Sequence, residues 1–161
     1  MRTGITLAVT MVLLIFSACN KGSGPGESAD LSGDYFIFGN AFGECAGSCA
    51  SFYRLGNGKL SPDSMSYYLR DRDFRFSSTR TLSAADYKRA QYLWNHFPAE
   101  LYKYSGTVIG CPDCHDQGGM YIEMKKGSTV YYWEIDHDTD KQPPASRAYL
   151  EQMALTIFSM R

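Results

Sequence analysis

Apolar and polar positions follow several rhythms along this chain, and each predicts a different kind of element. Ile5 to Phe16 is almost continuously apolar, follows the short positive start Met1-Arg2, and ends at the small residues Ser17-Ala18 just before Cys19. A run that short, with that finish, reads as an export signal cleaved ahead of Cys19 rather than as a spanning helix. Asn20 to Ala29 then holds three glycines, one proline and no large apolar residue. Such a stretch cannot offset the entropy of ordering itself, so it reads as a tether. The chain therefore divides into a signal peptide over 1–18, a flexible anchored tether over 19–33, and one domain over 34–161.

Within the domain, Tyr35-Phe36-Ile37-Phe38 and Ser51-Phe52-Tyr53-Arg54-Leu55 are short aromatic strands, the second closed by the reverse-turn signal Asn57-Gly58 before Lys59-Leu60. Met65, Tyr67 and Leu69 alternate with Ser66, Tyr68 and Arg70 and predict another half-buried strand. The period then lengthens. Ser83-Ala84-Ala85-Asp86 approximates a capping box, and Tyr87, Ala90, Leu93, Trp94 and Phe97 form one apolar stripe that Pro98 ends.

After residue 119 the period returns to two. Met120, Ile122 and Met124 alternate with Tyr121, Glu123 and Lys125; Lys126-Gly127-Ser128 turns the chain, and Thr129, Tyr131, Trp133 and Ile135 form the next face. Pro143-Pro144 opens a last helix whose buried side is Leu150, Met153, Ala154, Ile157 and Phe158, with Arg147 and Glu151 as an i,i+4 pair on a more polar side. Two strand groups with few crossovers predict an α+β fold: an antiparallel sheet with two helices packed mainly on one face.

Charge narrows the partners. The chain has 16 Lys+Arg and 17 Asp+Glu, with no long block of one sign, which argues against nucleic acid. Four cysteines follow Cys19: Cys45, Cys49, Cys111 and Cys114. In an exported chain an even count normally means two disulfides, and three pairings are open. Loop closure favours a bond between the clusters, at roughly 4 kcal/mol against about 2 kcal/mol for a local one, but does not choose. Both clusters precede strands, so they can meet at one end of the sheet.

The second cluster carries a sharper alternative. Cys111-Pro112-Asp113-Cys114-His115 matches the CxxCH signature of covalent c-type haem attachment, with His115 as the proximal ligand. The motif leads into a strand, and Met120 and Met124 fit the apolar face better than an axial position. Four thiolates would also suit structural zinc, against which export oxidation competes. A thioredoxin-like role is weaker, because no predicted helix starts at the CxxC. Asp136, Asp138 and Asp140 are spaced like the opening of a calcium loop, but Lys141 and Arg147 occupy the positions where an EF-hand needs glycine and glutamate. A weak calcium contact and a solvated acidic turn are both open there. His96 suits a helix end, His137 can interact with the neighbouring carboxylates, and Ser48 lies in no nucleophile elbow.

Two resemblances complete the reading. Phe16-Ser17-Ala18-Cys19 resembles the lipobox of bacterial lipoproteins, which implies a Cys19 carrying a diacylglyceryl thioether and an acylated amine, hence an envelope protein held to a membrane by lipid. Gly43 to Leu60, with Cys45 and Cys49 ahead of an aromatic strand and a glycine turn, resembles small uncharacterised bacterial lipoprotein domains with paired cysteines. That likeness implies a small α+β lipoprotein and supplies no catalytic residues. The expected function is a non-enzymatic, lipid-anchored, disulfide-stabilised domain that binds an envelope protein or small ligand through exposed aromatic rings and needs no cofactor. A periplasmic electron-transfer protein with haem at Cys111, Cys114 and His115 is the alternative.

Overall fold

β1 (Tyr35–Ala41) is buried at every position because strands flank it on both sides and both of its faces are covered. The computed structural model describes residues 33–43, 49–63, 76 and 80–160. Cys19, Cys45, Ser48, and the strand expected at Met65, Tyr67 and Leu69, lie outside them. β1 pairs antiparallel with β2 (Ala50–Gly56) on one side. The hairpin to β3 (Lys59–Pro62) turns at Asn57 and Gly58, both at positive φ as the Asn-Gly signal requires. On its other side β1 pairs with β5 (Gly119–Lys126), which returns through Gly127-Ser128 to β6 (Thr129–Asp136).

One element departs from the antiparallel expectation. β4 (Thr107–Ile109) runs parallel to β6 at the sheet edge, giving the order β3-β2-β1-β5-β6-β4. The fold is α+β with a mixed, mostly antiparallel six-stranded sheet.

α1 (Ala84–Asn95) begins at the predicted capping box, with the Ser83 hydroxyl accepting from the Asp86 amide at 3.1 Å and the Asp86 carboxylate accepting from the Ser83 amide. The Ser83 hydroxyl also donates to the Asp86 carboxylate, and that hydrogen bond, with the neighbouring Arg89, holds the Asp86 carboxyl below its ordinary range despite partial desolvation. A short 3-10 turn at Pro144–Ser146 leads into α2 (Arg147–Ser159). Both helices lie on one face of the sheet. Ala90 and Leu93 of α1, and Leu150, Met153 and Ile157 of α2, share a core with Phe36, Phe38, Met120, Ile122, Met124 and Trp133. The Trp133 indole N–H donates to the Leu101 carbonyl at 2.6 Å, so its burial leaves no orphan donor. Arg147 donates to the Gln142 carbonyl rather than pairing with Glu151, and Phe158 faces solvent instead of the core.

The opposite face holds a second core of Tyr35, Ile37, Ala41, Ala50, Phe52, Phe76 and Tyr121. The alternation of Tyr121, Glu123 and Lys125 predicts an open polar face. Tyr121 and Glu123 are instead buried. The physical reason is local: the Glu123 carboxylate accepts from the phenols of Tyr35 at 2.7 Å and Tyr121 at 2.6 Å, which offsets its loss of water.

Candidate functional site

Three polar features stand out from this scaffold. The first is the end of the sheet that carries Cys49 and the Cys111–Gly118 loop. Ala41 lies between Ala50 of β2 and Gly119 of β5. The segment ahead of β2 therefore brings Cys49 to one side of the β1 end, and the segment ahead of β5 brings Cys111 to Gly118 to the other. The Phe42 amide donates to the Cys49 carbonyl at 2.8 Å. Asp113 bridges the two loops: one carboxylate oxygen accepts from the Gly43 amide at 2.5 Å and the other from the Gly118 amide at 2.9 Å.

Cys111 and Cys114 are bonded to each other, with Cα atoms 5.5 Å apart, within the normal range for a disulfide. Cys49 is disulfide-bonded as well. Of the pairings left open by the sequence, the cross-cluster ones are therefore excluded. Closing so short a loop stabilises by about 2 kcal/mol on the chain-entropy account. The same sulfurs are those that haem thioethers or a four-thiolate zinc site would use, so either group requires this bond to open. His115 is exposed, and its amide donates to the Gln117 side-chain oxygen at 2.7 Å. Met120 and Met124 are both in the helix-side core, where the Met124 sulfur accepts from the Tyr102 phenol at 3.2 Å.

Asp136 closes the other side of that loop. Its carboxylate accepts from the amides of Cys111 at 2.8 Å and Asp138 at 2.9 Å, and from the Gln117 amide group at 3.3 Å. Burial opposes its ionisation, but those donors and nearby His137 outweigh it and hold the carboxyl below its ordinary range. Asp138 accepts from the Asp140 amide at 3.0 Å as the cap of a short 3-10 turn, and Asp140 is exposed. The three carboxylates proposed for calcium therefore do not converge. Among the described residues no group of three or more His, Cys, Asp or Glu side chains is arranged to hold a metal ion.

The second feature is the buried set of Tyr35, Tyr121 and Glu123, with the Arg54 guanidinium 5.4 Å from the centre of the Tyr35 ring. Burial, reinforced by the Glu123 hydrogen bond and charge, raises the Tyr35 phenol well above its ordinary pKa; Arg54 acts in the opposite direction. The set crosslinks β1 to β5. It is enclosed in the second core.

The third is an open groove of about 350 Å³ between the helices, lined by Lys88, Arg89, Tyr92, Gln152 and Thr156. Arg89 pairs with Asp86. Tyr92 is 54% exposed and stacks on His96 with ring centres 4.0 Å apart, while the His96 ring lies 2.9 Å from the Tyr92 carbonyl. Leu155 and Phe158 continue the Gln152 ridge of α2 at three-residue steps and are 59% and 73% exposed. The neighbouring tyrosines elsewhere on the domain contribute less: Tyr104 is exposed, but Tyr102 and Tyr131 pack against the main core and Tyr132 against the second. The groove carried a weak sequence signal, Lys88/Tyr92 and Gln152/Thr156 at i,i+4 on helices whose other faces are apolar. No described helix is long and apolar enough to cross a membrane. Compared with known proteins, the chain matches no protein-family model, no curated protein and no solved structure.

Proposed function

We propose that this is a non-enzymatic lipoprotein of the bacterial cell envelope, periplasmic or surface-exposed, anchored through lipid on Cys19. Its disulfide-stabilised α+β domain binds another envelope protein or a small ligand at the outer face of α1 and α2. The observation that carries the reading is the coexistence of Tyr92, Leu155 and Phe158, all more than half exposed, beside a groove with cationic and amide side chains. Apolar side chains of that size gain most when a partner removes them from water, and polar neighbours give orientation. The leader ending at Cys19 and the glycine-rich tether support a domain held near a bilayer without inserting into it.

A photo-activated crosslinker in place of Phe158 or Tyr92, in cells that export the protein, tests this. A discrete adduct from both positions, absent when the crosslinker replaces Ser128 in the β5–β6 turn, is expected; acylated protein with no adduct from either position contradicts the proposal. A visible absorption spectrum of protein matured by its own export pathway addresses the haem alternative. A covalent-haem Soret band replaces the binding reading with electron transfer at Cys111, Cys114 and His115.

A further inference from the structure

The loop from Cys111 to Gly118 is held in place twice over. Its disulfide is one restraint. The other is a continuous set of hydrogen bonds that uses no sulfur: Cys111 and Gln117 donate to Asp136, Gln117 also donates to the Cys111 carbonyl, and His115 donates back to Gln117. Gly118 and Gly43 donate to Asp113, whose own amide returns to the Gly118 carbonyl at 3.1 Å, and the Cys114 amide reaches the Cys111 carbonyl at 3.2 Å. Within this loop Asp113 and Asp116 sit at φ of 63° and 57°, a conformation that residues other than glycine rarely adopt. Both cysteines are exposed, and neither belongs to either hydrophobic core.

The loop's shape does not rest on the disulfide alone, and exposed disulfides are the ones most readily opened by thiols. We infer that Cys111–Cys114 is a thiol–disulfide exchange site: a bond that opens and closes while its loop keeps its shape. The exchanging partner is a dithiol of another exported protein. One partner thiolate attacks either exposed sulfur, the Cys111–Cys114 bond breaks, and the displaced cysteine takes a proton. The second partner thiol then attacks the mixed disulfide, forming the partner's own disulfide and releasing the second cysteine, which is also protonated. Two electrons and two protons pass from the partner dithiol to the cysteine pair, and the reverse sequence restores the bond. The site shares no residue with the α1–α2 groove and does not depend on what that groove binds.

The test titrates the whole mature protein with dithiothreitol, an uncharged dithiol suited to a loop that carries Asp113 and Asp116 and is held by Asp136. Alkylation and peptide mapping report opening of the bond, far-ultraviolet circular dichroism reports the fold, and amide exchange reports Gly43, Cys111 and Gly118. The expected result is alkylation of both cysteines with the circular dichroism unchanged, protection at the three amides altered by less than about tenfold, and return to the starting mass with oxidised dithiothreitol. A Cys111→Ala/Cys114→Ala variant keeps the same protection, whereas Asp113→Ala in the oxidised protein loses it at Gly43 and Gly118. Opening that occurs only with global unfolding, a larger loss of protection, or a double-alanine variant that does not fold overturns the inference.

Discussion

Tyr35 and Glu123 are diagonal neighbours on adjacent strands, and the phenol of the first donates to the carboxylate of the second at 2.7 Å within the second core. The charge-assisted bond ties β1 to β5 on the face that the helices leave free. Tyr35→Phe removes the donor but keeps the ring, leaving one Glu123 oxygen without that partner. It is expected to lower unfolding free energy by about 1.5–3 kcal/mol, measured by urea denaturation.

The same pair gives an alkaline signature. The folded-state pKa of Tyr35 is raised, so its contribution is complete below the unfolded tyrosine value near 10.0 and is lost as pH rises beyond it toward the folded value. Stability falls by about 1.4 kcal/mol per pH unit for each such tyrosine in that window. Tyr149, raised by burial, contributes with the same sign. The difference between the parent and Tyr35→Phe isolates the Tyr35 share: it shrinks above pH 10, and a difference independent of pH contradicts the assignment.

Gly39 occupies the row between Phe52 of β2 and Tyr121 of β5, whose rings meet edge to face at 6.0 Å. A Cβ at Gly39 would stand on the Ser51 carbonyl and the Phe52 backbone, inside contact distance of both. Backbone cannot move aside cheaply in a central strand. Gly39→Ala is therefore expected to destabilise by about 1–3 kcal/mol by thermal or denaturant unfolding, although alanine is otherwise a mild change.

Asp136 gives the opposite pH dependence. Its carboxyl is held below the ordinary value, so its stabilisation is complete above the unfolded pKa near 3.8 and is lost as pH falls through the lower folded value. Asp136→Ala strips acceptors from the Cys111 and Asp138 amides and is expected to cost about 1–3 kcal/mol at neutral pH. The gap between parent and variant closes in acid, below pH 3.8, as read by denaturant titrations across that range.

Phe158→Ser and Tyr92→Ala separate contact from stability. Phe158 is three-quarters exposed and Tyr92 over half, so each substitution is expected to shift unfolding by no more than about 0.5 kcal/mol while abolishing the adduct formed by a crosslinker at the other of the two positions. Destabilisation well beyond that by denaturant unfolding would show that these rings support the fold instead.

The strongest local signals matched the structure closely. The Ser83 cap, the proline-led final helix and the β5–β6 hairpin all follow from residues within a few positions of one another. What local pattern could not show was pairing at a distance. β4 is three residues long, too short to display alternation, and exists because it lies parallel to β6. Glu123 reads as solvent-facing until Tyr35, 88 positions away, supplies its hydrogen bond. Phe158 completes a helical stripe in sequence, yet the turn that places Met153 and Ile157 inward leaves it outside. Cys49 and the Cys111–Gly118 loop do lie at one sheet end, as positions ahead of strands suggested, but the Asp113 and Asp136 brackets that shape that loop depend on partners in other segments.

Intact-mass analysis of the protein purified from the membrane fraction, before and after reduction, bears most directly on an exported, lipid-fastened, oxidised domain. The account predicts a chain beginning at Cys19 with the added mass of acyl groups, and a gain of two hydrogens on reduction for each of its disulfides, with peptide mapping placing one at Cys111–Cys114. A full-length chain starting at Met1 with an unmodified Cys19 and free thiols throughout as the normal cellular form contradicts it.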